Sequence, residues 1–299
     1  VANMPAAEVH ITAGLVRRLL AEQHPDLAHL PLTPVANGWD NAIFRLGNGF
    51  AVRLPRRRAA AGLIRNEQRW LPELANGLAV SVPVPVPLRT GAPSPSFPWY
   101  WTITRWVEGT PAAGIEPGDR GRAAADLAHF VTAFQRPAPA DAPHNPVRGV
   151  LLSGRSAAVE RRITSAGLSP ELLGLWRRLR DQPGWTGPPL WLHGDLHAAN
   201  LLLDARGRLA AVLDFGDLTA GDPATDLAAA WLVFDRAGRR TFIDTVTAGC
   251  PTDAATWQRA RGWALCIAAA MAATSDDHPG NRSMGLRILD DVLTDEGPR

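Results

Sequence analysis

Apolar and polar positions change their period several times along the chain, and each change marks an element. Over residues 8–24, Val9, Leu15, Val16, Leu19 and Leu20 recur at near-helical spacing, which predicts a helix. AIFRLGNGFAVRLP (42–55) alternates and turns at GNG, the pattern of a β-hairpin. AAAGLIRNEQRWLPELANGL (59–78) returns to helical spacing around Glu67. PVPVPLRTG (83–91) holds too much proline for a central strand and predicts an extended edge or loop. WYWTITRWVEG (99–109) is aromatic and β-branched, a strand that stops at Gly109. Residues 1–108 therefore read as a small β-rich layer with one inserted helix.

Beyond Gly109 the character changes. Helical patterns occupy 119–135, 151–166, 170–182, 223–235, 239–248, 254–274 and 283–293. Between them lie two short apolar strands, LLLD (201–204) and AAVLDF (210–215), separated by ARGR. The Pro/Ala stretch 136–146 predicts a surface loop. The expected fold class is α+β, with a β-rich part (1–108) and a larger, mainly helical part (109–299). A cleft between two such parts is the usual place for a ligand.

Composition narrows this little. The 299 residues, 46% of them hydrophobic, suffice for a sizeable core. A formal net charge of +2 gives no field that selects nucleic acid or an anionic membrane. All 31 basic residues are arginine, so any chemistry that needs a lysine must use Arg here. Cys250 and Cys266 have no metal-ligand spacing and predict buried free thiols. No charged-then-apolar leader is visible, and LAAAWLVF (227–234) is too short to span a bilayer. A cytoplasmic protein with no membrane or nucleic-acid partner is expected; monomer and homodimer stay equally open.

The stretch WLHGDLHAANLLLD (191–204) sets polar groups among leucines, where charge is costly unless paired. Phosphoryl transfer from a nucleoside triphosphate needs a cation on the phosphates and a carboxylate that fixes it. It also needs a carboxylate beside the acceptor hydroxyl, and an Asn and an Asp for magnesium. Arg53, Glu67, Asp195, Asn200 and Asp214 fall in that order, with Asp195 and Asn200 five residues apart and Asp214-Phe215-Gly216 following. A rival reading takes His193, Asp195 and His197 as zinc ligands on one strand face. It leaves Asn200 and Asp-Phe-Gly unexplained.

On these residues the chain resembles the aminoglycoside phosphotransferase family, the antibiotic and choline-kinase-like enzymes of protein-kinase-like fold. HGDLHAAN (193–200) matches the family loop H-G-D-[LI]-x-x-x-N, where protein kinases use H-R-D. GDPATDLA (221–228) matches its Asp-Pro-x-x-Asp-Leu-Ala helix start, and NGWDNAIFRL (37–46) resembles a subgroup that includes macrolide phosphotransferase relatives. The resemblance implies a nucleotide-binding lobe (1–108) and a catalytic, substrate-binding lobe (109–299). It implies that Asp195 orients the acceptor hydroxyl and takes its proton, and that Asn200 and Asp214 bind Mg2+. Arg53 stands where the family places its phosphate-contacting lysine, paired with Glu67. The backbone of Arg105 and Val107 would bond adenine, and Asp226 would hold the catalytic loop. His193 would be structural, while His197 and Asp217 are candidates for the substrate side.

Two departures stand out. The phosphate loop lacks G-x-G-x-x-G and keeps Gly38 at its tip, so the amides of Asn37 or Asn41 are expected to substitute, with Trp39 as a ligand contact. Arg at 53 is no neutral replacement for Lys, because its charge is permanent and its donors form a wide fork. Arg56, Arg57 and Arg58 read as a solvated turn, and Asp222 as a solvated or capping residue.

The implied donor is ATP or GTP, and the implied acceptor a small hydroxylated molecule, foremost an aminoglycoside-type antibiotic. A macrolide, an amino alcohol or a sugar is the alternative acceptor. A catalytically silent nucleotide-binding module is the reading from another class, and the joint presence of Asp195, Asn200 and Asp214 opposes it. A polycationic acceptor calls for gathered carboxylates, with Asp217, Glu160, Asp235, Asp253, Asp276, Asp277 and the tail DDVLTDE as candidates.

Overall fold

Thr12 sets the start of the first helix. Its hydroxyl accepts the Leu15 N–H at 3.2 Å, satisfying a donor with no partner inside a helix, so α1 runs Ala13–Gln23 and not from residue 8. The computed structural model describes residues 6–38, 40–78, 82–274 and 279–295. After α1 come β1 (Leu32–Asn37), β2 (Asn41–Leu46) and β3 (Phe50–Pro55), and β2 and β3 form the expected hairpin around GNG. β1 has no alternating signature. Pro34 interrupts it, and its pairing with β2 shifts register between Pro34 and Ala36, which an edge strand tolerates. Helix α2 (Arg58–Asn76) follows, then β4 (Pro87–Gly91) and β5 (Trp101–Arg105). The sheet order is β1-β2-β3-β5-β4, so the proline-rich stretch is indeed an edge. β5 ends at Arg105, short of Gly109.

The chain then becomes mainly helical. Its elements are β6 (Thr110–Pro111), α3 (Ala124–Phe134), α4 (Ser156–Ser165), α5 (Glu171–Arg180), β7 (Leu190–Leu192), β8 (Leu201–Leu203), β9 (Leu209–Val212), β10 (Thr219–Gly221), α6 (Ala224–Leu227), α7 (Ala229–Val233), α8 (Arg236–Gly249), α9 (Ala254–Thr274) and α10 (Pro279–Thr294). The hairpin expected at 201–215 is β8–β9, with β6 added to it; β7 and β10 make a second short ladder. The single helix expected over 223–235 is two short ones, α6 and α7. Helix α9 is buried on nearly every side, as a helix without a polar face must be, and packs against α4, α5, α6, α7 and α10.

Two apolar cores result. The smaller joins Leu15, Val16, Leu19 and Leu20 of α1 to Phe44, Val52 and Ile103 of the sheet. The larger fills the helical part and also takes Trp70, Leu71 and Leu74 from α2. The architecture is α+β, β-rich at the N-terminal end and mainly helical at the other. Cys266 is buried as expected, but Cys250 lies exposed beyond the end of α8. Among the described residues no helix is long and apolar enough to cross a membrane.

Candidate active site

β3 carries Arg53 into the interior, and α2 brings Glu67 against it. Arg53 Nη1 donates to Glu67 Oε2 at 2.8 Å, and Arg53 Nη2 to Asp214 Oδ1 at 3.0 Å. One guanidinium fork thus ties the N-terminal sheet to a turn 161 positions away in sequence. Glu67 is fully buried, and its Oε1 has no partner. Burial pushes its carboxyl up to about 7, against the opposing pull of Arg53. The Arg53 guanidinium loses solvation on burial, but the charges of Glu67 and Asp214 outweigh this and raise its pKa.

Asp214 sits at φ 60°, ψ 74°, the left-handed region that Asp enters more readily than most residues. Among the described residues it is the non-glycine residue with positive φ, and backbone strain of this kind gathers at functional sites. Its side chain is half exposed.

The catalytic-loop candidates follow β7. Asp226, buried at the start of α6, accepts the N–H groups of His193 and Gly194 at 2.7 and 2.8 Å, as the resemblance implied. Gly194 has φ +87°, and a Cβ there would lie 2.4 Å from the Asp217 carbonyl oxygen. Only glycine fits at this point of the loop. Asp195 N–H donates to His193 Nδ1 at 3.2 Å, which leaves the His193 proton on Nε2 for Leu213 O at 2.8 Å. Likewise Ala199 N–H donates to His197 Nδ1 at 3.2 Å, and His197 Nε2 donates to Asp195 Oδ2 at 3.2 Å. Both ring nitrogens of both histidines are committed, and 193–197 is not a strand, so the zinc reading fails. Asn200 Nδ2 bonds Asp195 O at 2.9 Å, which turns Oδ1 the other way.

The loop has a partner that the sequence did not signal. Arg148 Nη2 donates to Asp195 Oδ1 at 2.8 Å and stands 3.6 Å from Asp217 Oδ2. Asn145 Nδ2 donates to Asp217 Oδ1 at 2.7 Å. Both residues come from irregular chain between α3 and α4, where no period marks a site. Burial opposes the charge on Asp195, but His197 and Arg148 outweigh it and hold the carboxyl far below the usual carboxylate range. Burial, and then the nearby Asp195 charge, push Asp217 up, while Arg148 pulls the other way.

The remaining candidates divide. Trp106 N–H bonds Gly49 O, and β5 pairs β3 at Phe50↔Arg105. In an extended chain alternate amides point oppositely, so the Arg105 backbone faces away from β3. Val107 follows in the connection between the two parts. Gly38 is fixed by Arg56, whose Nη1 bonds its carbonyl at 3.0 Å, and Arg57 pairs with Asp40. The triple-arginine stretch is therefore no solvated turn; only Arg58 is exposed. Asn41 is buried on β2 with its Oδ1 unpartnered. Trp39 and the Asn37 side chain lie outside the described residues. Asp222 is buried, not solvated: Arg259 grips it at 2.7 and 3.2 Å while it caps Ala224 N–H.

The acidic candidates among the described residues are spread over separate partners. Glu160 pairs with Arg180, Asp235 caps α8, and Asp253 accepts Thr256 N–H. Asp291 and Asp295 face Arg239. Asp276, Asp277 and Glu296 lie outside the described residues. Among the described candidates Asp217 stands beside Asp195, the two sharing Arg148.

Residues 31–263 match the model of the phosphotransferase enzyme family. The uncharacterized protein YcbJ of Bacillus subtilis (strain 168) is 36% identical over 61 residues, 20% of either chain, so that match spans a fifth of the relative's length. Among solved structures, the GDP complex of wild-type aminoglycoside 2'-phosphotransferase-IIIa superposes with a TM-score of 0.69, at 18% identity over 93% of this chain and 97% of that one. The macrolide 2'-phosphotransferase MphH of Brachybacterium faecium, an apoenzyme, gives 0.59 at 20% identity over the same shares. At these identities the likeness is one of fold.

Proposed function

The chain belongs to the aminoglycoside phosphotransferase family of phosphotransferase enzymes, and on that premise we propose that Asp195, Asn200, Asp214 and Arg53 form its phosphoryl-transfer centre. A small-molecule phosphotransferase of this family uses a nucleotide donor, here ATP or GTP. The observation that supports the assignment is the convergence of one guanidinium, two aspartates and an amide from three separated segments: Arg53 bonds Asp214, Asn200 bonds Asp195, and the Leu213 N–H beside Asp214 bonds Asn200 O. The β-rich part (1–108) would hold the nucleotide, and the helical part (109–299) the acceptor.

In this reading the acceptor oxygen attacks the γ-phosphorus, an O–P bond forms, and the bond to the β-phosphate oxygen breaks as the nucleoside diphosphate leaves with the electron pair. The hydroxyl proton goes to the Asp195 carboxylate and then to solvent. With His197 and Arg148 on its oxygens, Asp195 is a weak base, so its main work is to aim the hydroxyl, and proton uptake comes late. Arg53 grips phosphate oxygens while Glu67 fixes its fork. The backbone at Arg105 and Val107 would receive the base, and Gly38 and Asn41 would lie over the phosphates.

The donor set fits magnesium, which prefers hard oxygen ligands and few protein groups. Asp214 is half exposed, and with Asn200 Nδ2 committed to Asp195 O, the Asn200 Oδ1 would be the atom offered to the metal. When bound, the metal neutralises charge on the phosphates. Asp195→Asn should cut phosphate transfer by roughly 10²–10⁴, the contribution of a positioned acid/base group, with nucleotide affinity unchanged. Transfer followed by mass in Mg-ATP or Mg-GTP with hydroxylated acceptors checks this; near-normal turnover would remove Asp195 from the role.

An aminoglycoside acceptor draws support from the family and from relatives of that name. A macrolide-like or otherwise less cationic acceptor draws support from the scattered carboxylates around the helical part.

A further inference from the structure

Glu67, Trp70 and Leu74 of α2, and the Gly77 that ends it, recur three or four positions apart, so they lie along one face of the helix. Glu67 holds Arg53 at one end of this stripe. At the other end the helix lacks its own cap. Its last turn has no basic residue, Glu73 there has the wrong sign for the negative helix end, and the final carbonyls are short of donors. Pro72 adds a weak point between the two ends, because it has no amide to bond the Gln68 carbonyl.

Arg136 supplies the missing cap. Its Nη1 donates to Gly77 O and its Nη2 to Leu74 O, each at 3.0 Å, so one guanidinium fork closes the helix and sets a cation at its negative end. A Cβ on Gly77 would overlap Arg136 Nη1, so glycine leaves the fork its room. The arginine itself belongs to the other side of the molecule. It follows α3, its carbonyl accepts the Trp191 N–H at 2.9 Å, and Ala138 N–H donates to Pro189 O at 2.9 Å. Next to it, Gln135 Nε2 donates to Pro223 O at 3.0 Å, just before α6 and Asp226. The segment is thus built onto β7, the strand that runs into His193 and Asp195. Trp70 repeats the link by packing on Trp191, with ring centroids 5.1 Å apart.

We infer that Arg136 is a positioning residue for the nucleotide donor: by capping α2 from the segment paired with β7, it fixes where Glu67 presents Arg53 relative to the catalytic loop. The inference rests on the phosphoryl-transfer reading of Arg53. Arg136 touches no phosphate in that reading and acts through the helix. Without the cap, the C-terminal turn tilts about Pro72 and reseats Trp70, one turn from Glu67. Arg53 holds Glu67 and Asp214 with one fork and cannot follow the first without leaving the second.

The test measures binding of Mg-ATP and Mg-GTP to the full chain by calorimetry, well below its melting temperature. Arg136→Gln should raise the Kd of the nucleotide that binds by roughly 2–30-fold, the range over which residues touching neither ligand modulate binding. Gly77→Ala should do the same, because its Cβ evicts the fork at a φ of −94° that alanine adopts freely. The two changes together should be no worse than either, since both remove one contact. Arg136→Lys should recover part of the loss, as an ammonium can reach one of the two carbonyls. Arg136→Gln should add nothing in an Arg53→Ala background. Thr12→Ala is the matched control, which removes the cap of α1, lowers the melting temperature and should leave Kd unmoved.

A melting temperature that falls in Arg136→Gln and Gly77→Ala while Kd stays put marks a cap that serves stability alone, and overturns the inference. An equal rise of Kd in Thr12→Ala, or an Arg136→Gln effect undiminished by Arg53→Ala, does so too. The two readings separate through Arg53. If Arg53→Ala weakens binding and Arg136→Gln does not, only the role of Arg136 falls. If neither nucleotide binds, or Arg53→Ala leaves binding unmoved, the phosphoryl-transfer centre falls and takes this role with it.

Discussion

Replacing Arg53 with Ala should make the stability of the protein fall with pH where the parent's does not. Glu67 is fully buried, and its carboxyl titrates at about 7 instead of the usual 4.5. Between these values the folded chain keeps a proton that the unfolded chain gives up. Stability therefore decreases as pH rises through that window, by about 1.4 kcal/mol per pH unit. Above 7 the parent's Glu67 ionises against Arg53 at 2.8 Å, and the decline stops. Without Arg53 burial is unopposed, the carboxyl titrates above 7, and the decline continues. From pH 7 to 8.5 the variant should thus lose about 2 kcal/mol relative to the parent. At roughly 2–3 °C per kcal/mol for a chain of this size, that is a Tm gap widening by about 4–6 °C. Thermal melts at pH 6, 7 and 8.5 read the gap, and Arg53→Ala combined with Glu67→Gln should abolish its pH dependence. A gap that stays constant across this range, or one that persists in the double variant, refutes the assignment of the titration to Glu67.

Gly194→Ala should largely abolish turnover, because its Cβ would meet the Asp217 carbonyl oxygen at 2.4 Å in a positive-φ turn; steady-state kinetics beside a melt would separate this from unfolding. Asp226→Asn replaces one of two acceptors facing the His193 and Gly194 amides with a donor, and should lower stability by about 1–3 kcal/mol in a denaturant titration. If Asn200 and Asp214 supply oxygen ligands as proposed, chelation should stop phosphate transfer, with magnesium or manganese restoring it and zinc failing to do so.

What could be read from the sequence was what short-range geometry fixes. Asp195 and Asn200 meet within one loop turn, through Asn200 Nδ2 and Asp195 O, so their spacing alone was informative. Arg53 and Glu67 lie on consecutive elements that the strand and helix periods marked, and their pairing was implied by the family resemblance. Arg148 reaches Asp195 across 47 positions from chain with no period, so nothing local announced it. β6, β7 and β10 span two or three residues each and are too short to carry a pattern. The role of Arg56 and Arg57 was hidden for another reason. A run of three arginines looks solvated until a carbonyl and a carboxylate, those of Gly38 and Asp40, are brought beside it. The glycine of HGD was visible as a motif, but its cause, the Asp217 carbonyl, arrives from a segment folded back through β10.

Helix α2 is held at both parts, with Trp70, Leu71 and Leu74 set into the core of the helical part while Glu67, a turn earlier, is clamped to β3 through Arg53. A helix is stiff over such a distance, so it acts as a crank. The sheet cannot rock against the helical part without pulling on the Arg53–Glu67 joint or on its extension to Asp214. If Arg53 grips the donor as proposed, rocking of the sheet and loosening of that grip are a single mechanical coordinate, and a substitution that unseats Trp70 would weaken nucleotide binding although it touches no residue of the proposed site.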